Sequence, residues 1–259
     1  MVDQAVKIGL VIIGDEILSG RRQDKHLPKA IELLSARGLR LSWVRICADD
    51  APSLVDVFRQ TLASGDIVFS FGGIGATPDD HTRAAVASAT GLELVLHPDA
   101  EREIRAKFGE ETTPYRLEMG HYPVGSRIIP NPYNRIPGFS YASHHFLPGF
   151  PQMAWPMMEW VLDTEYADLH DVRSWAEDSI AVFNATESKL VDIMHTLEAL
   201  YGVTVFSLPH LGSEELPAHI ELGAKGKPEA VALAMAEMRA EVARRAYPVS
   251  EIKELRTDH

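Results

Sequence analysis

Gly72-Gly73-Ile74-Gly75-Ala76-Thr77-Pro78-Asp79-Asp80-His81-Thr82-Arg83 lies between two segments of opposite character. The run before it, Ile67-Val68-Phe69-Ser70-Phe71, is short, apolar and rich in β-branched and aromatic residues, which predicts a buried strand. The residues after it, Ala84 to Ala89, predict a helix running from about Asp80 to Thr90 and ending at Gly91. A glycine-rich turn between strand and helix lets backbone N–H groups approach an anion, because no Cβ stands in the way. Asp79 and Asp80 would repel a bare phosphate unless a divalent cation sat between, since hard cations take carboxylate and phosphate oxygens together. The stretch therefore points to a phosphate or pyrophosphate site with a metal. A turn that needs glycine for its geometry alone is the competing reading. No Gly-Lys-Ser/Thr follows, and Gly-x-Gly-x-x-Gly is not matched, so this is neither a P-loop nor a dinucleotide fingerprint.

Toward the N-terminus the pattern repeats. Val6 to Ile13 is an apolar run ending at Gly14, expected to be a strand buried on both faces. Residues 24–37 carry Leu27, Ala30, Ile31, Leu33 and Leu34 at helical spacing, with Gly38 as the stop. Leu39 to Ile46 is a second strand, and Ala51-Pro52-Ser53 opens another helix with Leu54, Val57, Phe58 and Leu62 on its apolar stripe. The order β-α-β-α-β-α argues for a parallel sheet covered on both faces, an α/β three-layer fold with a mostly parallel sheet. In such sheets ligands sit beyond the carboxyl ends of the strands. Gly14-Asp15-Glu16, Ala48-Asp49-Asp50 and Gly72 to Asp80 all follow strands and should meet at one edge.

Further on, a short helix is expected over residues 99–108, irregular chain over 109–126, a short strand near 127–132 and a helix over 152–162. The stretch Leu147-Pro148-Gly149-Phe150-Pro151 is a second Pro-Gly turn after apolar residues. Composition turns polar over 163–175, and a boundary is expected there. Residues 178–248 then read β-α-β-β-α, a small α+β domain. The expected division is 1–165 for the α/β domain, 176–249 for the small domain, and a frayed polar tail over 250–259.

Composition bounds the function. The chain has 259 residues, is 46% hydrophobic and 24% charged, and carries a net charge of −12, which disfavours general binding to nucleic acid or an anionic membrane. Cys47 is the single cysteine, so no internal disulfide can form. No run of 18 apolar residues suggests a membrane span, and the first residues lack the pattern of a signal peptide. A cytoplasmic protein is the expectation.

Gly14-Asp15-Glu16-Ile17-Leu18-Ser19-Gly20, Gly72 to Arg83, and Leu147-Pro148-Gly149-Phe150-Pro151-Gln152-Met153 together resemble the molybdopterin-binding (MoaB/MogA-like) domain at the N-terminus of the CinA, or competence/damage-inducible protein A, family. Asn131-Pro132 and Ile136-Pro137-Gly138-Phe139 resemble a fourth segment of that family. The resemblance covers residues 6 to about 163, and the small unit at 178–248 is similar to the second CinA domain. No segment resembles the C-terminal deamidase domain of longer members. Departures from the pattern are Ala76 for a common proline, His81 for leucine, Phe150 for a small or aliphatic residue, and Gln23-Asp24-Lys25, which resembles the adenylyltransferase branch instead.

The resemblance implies a nucleotide or pterin phosphate as ligand and chemistry at a phosphoanhydride, with Mg²⁺, Mn²⁺ or Co²⁺ as cofactor and molybdopterin as a ligand of the family. It implies Asp49 and Asp80 as catalytic residues, and Asp80, Asp79 and Asp49 as metal ligands. Gly72, Gly73 and Gly75 would present backbone donors and Thr77 a hydroxyl. Gly14, Asp15, Glu16 and Ser19 would close the site from the first strand, with Pro148 and Gly149 as the far wall. A homo-oligomer, dimer or trimer, is also implied. Three functions stay open: hydrolysis of an ADP-ribose-like nucleotide pyrophosphate, molybdopterin binding or adenylylation, and a non-catalytic ligand-binding module.

Each residue also has a plain structural reading. Asp80 would cap the following helix, and Asp49 or Asp50 the helix at Ala51. Asp15-Glu16 would be a solvated turn, His144-His145 the surface of a strand rather than a metal site, and His81 exposed. Cys47 would be core packing, and Trp155, Met157, Met158 and Trp160 a helix face in the core or at a subunit interface.

Overall fold

The computed structural model describes residues 6–171, 175–213 and 216–252. The chain forms two compact units, the first ending at His170 and the second beginning at Asp171. In the first unit the apolar runs become β1 (Ile8–Ile13), β2 (Leu41–Cys47) and β3 (Ile67–Phe71), interleaved with α1 (Asp15–Leu18), α2 (His26–Ser35), α3 (Ala51–Ser64) and α4 (Thr82–Thr90). Then follow β4 (Leu94–Leu96), α5 (Pro98–Phe108), α6 (Pro114–Glu118), β5 (His121–Pro123), β6 (Arg127–Ile129), β7 (Gly138–Tyr141), β8 (His144–Leu147) and α7 (Pro151–Glu165).

Six strands share one sheet in the order β2-β1-β3-β8-β7-β6. The first four run parallel; β7 is antiparallel to β8, and β6 is antiparallel to β7, so β7 alone runs against the rest. Every residue of β1 and of β3 is buried, because helices cover both faces and each alternate side chain meets one of them. Leu10, Ile12, Phe69 and Phe71 pack against Leu33 and Leu34 of α2 and Met157 and Met158 of α7. Val11, Ile13 and Val68 pack against Leu54 and Phe58 of α3 and Val86 of α4. This is the α/β/α sandwich with a mostly parallel sheet. Because the strand order departs to both sides of β1, a crevice opens beyond the carboxyl ends of β1 and β3, where Gly14 and Gly72 lie.

The second unit contains β9 (Ala176–Phe183), α8 (Val191–Tyr201), β10 (Thr204–His210), β11 (His219–Gly226), α9 (Pro228–Arg244) and β12 (Val249–Glu251). Its strands form an antiparallel sheet in the order β10-β11-β9-β12. Ile180, Val182, Leu222 and Ala224 pack against Ile193 and Leu197 of α8 and Met235 and Met238 of α9.

Several expectations need correction. Residues 109–126 are not irregular throughout. Pro114, expected as a breaker, sits in the first turn of α6, where its missing N–H costs nothing, and the Thr113 side chain caps that helix through Arg116 N–H. The expected tail from residue 250 begins inside β12, because Val249 to Glu251 pair with Val182 to Ile180 of β9; residues 253–259 lie outside the described residues. Helix α7 runs on to Glu165 through Pro156.

His144 and His145 are not a strand surface. They lie on β8 with relative exposures of 1% and 0%, and, being adjacent in a strand, their rings enter opposite helical layers. His144 Nε2 meets Thr61 Oγ1 of α3 at 2.9 Å. His145 is held by Ser140 Oγ at 2.8 Å and Tyr166 Oη at 2.7 Å. Burial pushes the His144 imidazole down to about 4 and that of His145 to about 3. Both rings are therefore neutral in the folded protein. In the unfolded chain they titrate near the ordinary value of about 6.5. The folded values being depressed, their contribution is fully present above about pH 6.5 and is lost as pH falls toward the folded values. Urea unfolding measured in steps between about pH 6.5 and pH 4.5 should show stability falling by up to about 1.4 kcal/mol per pH unit for each ring. A stability that stays flat over that window would contradict the account.

Candidate functional site

The Gly72 to Arg83 stretch leaves β3 and turns back into α4. Gly72 and Gly73 have φ of 103° and 67°, a region that side chains with a Cβ rarely occupy. A Cβ on Gly72 would lie 2.5 Å from the Ile13 carbonyl oxygen, and one on Gly73 would overlap Thr82 Oγ1. These glycines are thus required by geometry whatever else the loop does.

The carbonyls of the loop are tied to α4. Gly72 O accepts from Thr82 Oγ1 at 3.0 Å, Gly73 O from Thr82 N–H at 3.0 Å, and Gly75 O from Arg83 Nη2 at 2.5 Å. In a trans peptide the N–H that follows points opposite to the carbonyl, and no cis bond occurs among the described residues. Anchoring these three oxygens therefore turns the N–H groups of Gly73, Ile74 and Ala76 away from α4. None of the three has a hydrogen-bond partner among the described residues. The sequence expectation placed donors on Gly72, Gly73 and Gly75. Gly72 is a correction: its N–H is spent on Leu147 O, 2.9 Å away in the sheet.

Arg83 is buried, with 9% of its surface exposed. Its other contact is a hydrogen bond from Nη1 to Glu118 O, so both partners are neutral carbonyls. Burial pulls the guanidinium downward from its ordinary value, yet an arginine stays charged in any protein environment. A positive charge thus stands directly behind the turn.

The acidic residues divide into distinct roles. Asp49 Oδ2 accepts from Asp15 N–H at 3.0 Å, and Asp15 Oδ1 accepts from Asp49 N–H at 3.3 Å, which locks the ends of β1 and β2 together. Burial raises the Asp49 carboxyl above the usual range; the Asp15 N–H opposes this, and the charges of Asp15, Glu16 and Asp79 add to it. Asp80 Oδ2 accepts from Thr77 N–H at 2.9 Å and Thr77 Oγ1 at 2.5 Å, closing the turn. It does not cap α4, whose N-cap is His81, and His81 is half-buried rather than exposed. Asp50 caps α3 by accepting from Ser53 N–H at 3.0 Å. Among the described residues no three His, Cys, Asp or Glu side chains form a group that could hold a metal ion. Asp49, Asp79 and Asp80 are therefore not grouped as a protein-only metal site; Asp80 Oδ2 accepts from both Thr77 donors and Asp49 Oδ2 from Asp15 N–H.

A cleft of ≈ 470 Å³ opens at this edge. Gly14, Glu16, Asp49, Asp79 and Asp80 line it, as do Gly72, Gly73, Gly75 and Thr77 on the loop and Pro148 and Gly149 opposite. Asp15 and Ser19 do not. Asp15 acts on Asp49 instead, and Ser19 is exposed and bonded to Arg21 Nε at 3.1 Å. Sequence reasoning missed the wall formed by Asn131, Asn134, Ile136 and Pro137. Asn131 shapes it by donating from Nδ2 to Ile136 O at 2.9 Å and accepting from Tyr133 N–H at 3.0 Å. The Asn131-Pro132 and Ile136-Pro137 motifs were its only signal.

His26 was also missed. It is 7% exposed, and its Nε2 lies 3.0 Å from Gly149 O; a carbonyl only accepts, so Nε2 carries the proton. The ring stacks on Phe71 with centroids 4.4 Å apart, and burial lowers its pKa. It thus braces the Gly149 turn against the end of β3. A second cavity, of ≈ 360 Å³, is lined by Arg22, Gln23, Asp24, Lys25 and His26 and shares Glu16, Gly149 and Phe150 with the first. Cys47 is half-buried and packs at the margin of the core. Met157 and Met158 are core residues, whereas Trp160 is 36% exposed.

Residues 9–167 match the family described as "Probable molybdopterin binding domain", and the chain belongs to that family. A protein of Caldivirga maquilingensis is 30% identical over 231 residues, covering 85% of this chain and 88% of its own length. A CinA-like protein of Chlorobium luteolum is 30% identical over 219 residues, covering 80% of this chain. The chain spans 51% of that relative's length. A solved structure from Thermoplasma acidophilum, described as the protein CinA with unknown function, is 29% identical with a TM-score of 0.56, covering 61% of this chain and 97% of its own. The likeness thus extends to CinA-like proteins over the domain that carries the cleft.

The loop geometry makes a prediction about stability. Gly72→Ala must strain the backbone and displace Ile13, and should cost roughly 1–3 kcal/mol in urea unfolding. A Cβ on Gly149 would meet only Gly72 Cα, at 3.6 Å. Gly149→Ala should therefore stay within about 0.5 kcal/mol of the unchanged protein.

Proposed function

We propose that the cleft binds the diphosphate of a nucleotide and hydrolyses it, with an ADP-ribose-like nucleotide pyrophosphate as the substrate class. The observation that carries this reading is the set of unpaired N–H groups of Gly73, Ile74 and Ala76 beside the Asp49 carboxylate, at the switch point of the sheet. Three fixed donors backed by the Arg83 charge suit nonbridging phosphate oxygens, and they need no reorganisation as charge gathers in the transition state. Asp49 has the character of a general base. Its raised pKa makes it a better proton acceptor than an ordinary carboxylate, and Asp15 N–H fixes its orientation. It would take a proton from water as the water oxygen attacks one phosphorus. The bridging oxygen would leave with the other phosphate, giving two phosphate monoesters.

Glu16, Asp49, Asp79 and Asp80 bring negative charge to the same cleft, so a diphosphate needs a counter-charge beyond the amides. Mg²⁺, Mn²⁺ or Co²⁺ would supply it as a Lewis acid. Such ions are commonly held by one or two carboxylates together with substrate phosphates rather than by a protein cage. Glu16, Asp49 and Asp79 line the cleft and are the residues that would share it, whereas Asp80 Oδ2 already takes both Thr77 donors. A molybdopterin-type ligand, bound or adenylylated, is the second reading. The family description and the position of Gln23-Asp24-Lys25 in the adjoining cavity favour it. A dimer or trimer of this chain is part of both readings.

Incubation with ADP-ribose or FAD, with and without each divalent ion, should release AMP in a chromatographic assay. Asp49→Asn should lower turnover by about 10²-fold or more while the nucleotide still binds. The rate should fall on acidification at a pH above the ordinary carboxylate range, because Asp49 protonates early. AMP release that is untouched by Asp49→Asn would remove the assigned base. Absence of turnover together with tight binding of a phosphorylated pterin would favour the second reading.

A further inference from the structure

Phe150 is the residue that the turn does not need and the cleft exposes. It follows Gly149 and precedes α7, where its backbone carbonyl accepts from Met153 and Ala154 N–H. Those bonds require a peptide, not a ring. The side chain is 58% exposed and has no ring contact among the described residues. Single exposed apolar side chains are ordinary. Phe150 differs in position, since it lines both the main cleft and the adjoining cavity and forms their common wall with Glu16 and Gly149. Beside it, Gly149 carries no side chain, and a Cβ there would sit in ordinary contact with Gly72 Cα at 3.6 Å. The same cleft presents Ile74, Ile136, Pro137 and Met153. An exposed aromatic face, a bare glycine next to it and apolar walls across the cleft make a slot for a flat ring, with the amide donors within the same cleft.

We infer that Phe150 is a specificity-determining residue that stacks on a fused heteroaromatic ring of the ligand, a purine or a pterin, while the Gly73–Ala76 amides hold its phosphates. This rests on the anion-binding reading of the cleft and adds which ligands it selects. The aromatic face tolerates either ring because stacking reads a π-surface and not a hydrogen-bond pattern. It disfavours phosphate esters without a ring.

The test is calorimetric titration of inorganic pyrophosphate, ADP-ribose, a phosphorylated pterin and ribose 5-phosphate into the unchanged protein, Phe150→Trp and Phe150→Ala. The expected result is that Phe150→Ala weakens binding of the purine or pterin compound about five- to hundred-fold, as loss of one stack does. Pyrophosphate and ribose 5-phosphate should be unaffected, and Phe150→Trp should retain the ring-bearing ligand. Whichever of ADP-ribose or the pterin shows the selective loss identifies the ring. An equal loss for pyrophosphate would mean that Phe150 only supports the turn, and would overturn the inference. Pyrophosphate binding with no effect of Phe150→Ala on either ring-bearing ligand, or with neither of them bound, overturns the stacking role and leaves the anion reading standing. Failure of all four ligands to bind the unchanged protein overturns both.

Discussion

The site depends on how α4 holds the carbonyl oxygens of the turn that precedes it. Thr82 takes the oxygens of Gly72 and Gly73, and Arg83 takes that of Gly75. Because the peptide unit is planar, fixing one end of its dipole fixes the other, and the free N–H groups face away from the helix. Thr82 is completely buried and Arg83 nearly so, so the anchors are themselves held by packing. Binding an anion therefore requires little ordering of the loop, which is the part of the cost that preorganisation removes.

The opposite side of the cleft is attached to this frame through aromatic packing. His26 stacks on Phe71 and donates to Gly149 O, so one side chain joins the ends of β3 and β8. Parallel pairing of Phe71 with Leu147 makes the same connection through the backbone. The acidic residues are organised locally in the same way. Asp15 holds Asp49, Asp80 and Asp79 both hold Thr77, and Glu16 lines the cleft beside them. A carboxylate that orders a loop and one that faces a ligand are the same residue type one or two positions apart.

That distinction explains what could be read in the sequence. β1 and β3 were legible because a strand covered on both faces has no polar alternation, and Val68, Phe69 and Phe71 show none. The Gly72 to Arg83 motif was legible as a turn that must follow such a strand. The expectation for Gly72 failed, since residue type says where a backbone can approach a ligand but not which N–H the sheet has already consumed. His144 and His145 were misread as surface because a polar pair in a strand looks solvated until Thr61, Ser140 and Tyr166 are known to reach it. His26 gave no signal at all, as its partners Phe71 and Gly149 are distant in the chain.

Local patterning, with its periodicities and its glycine and proline positions, was enough to set the α/β/α class, the small α+β unit and the strand ends at which the loops gather. These follow from short-range sterics and from the period at which apolar side chains recur, which any stretch of chain carries within itself. The division of the carboxylates into structural and exposed, the free amides at Gly73, Ile74 and Ala76, and the shared wall at Phe150 emerged from folding. The first two depend on which hydrogen-bond partners are brought within about 3 Å, the third on which loops meet, and all are properties of long-range packing.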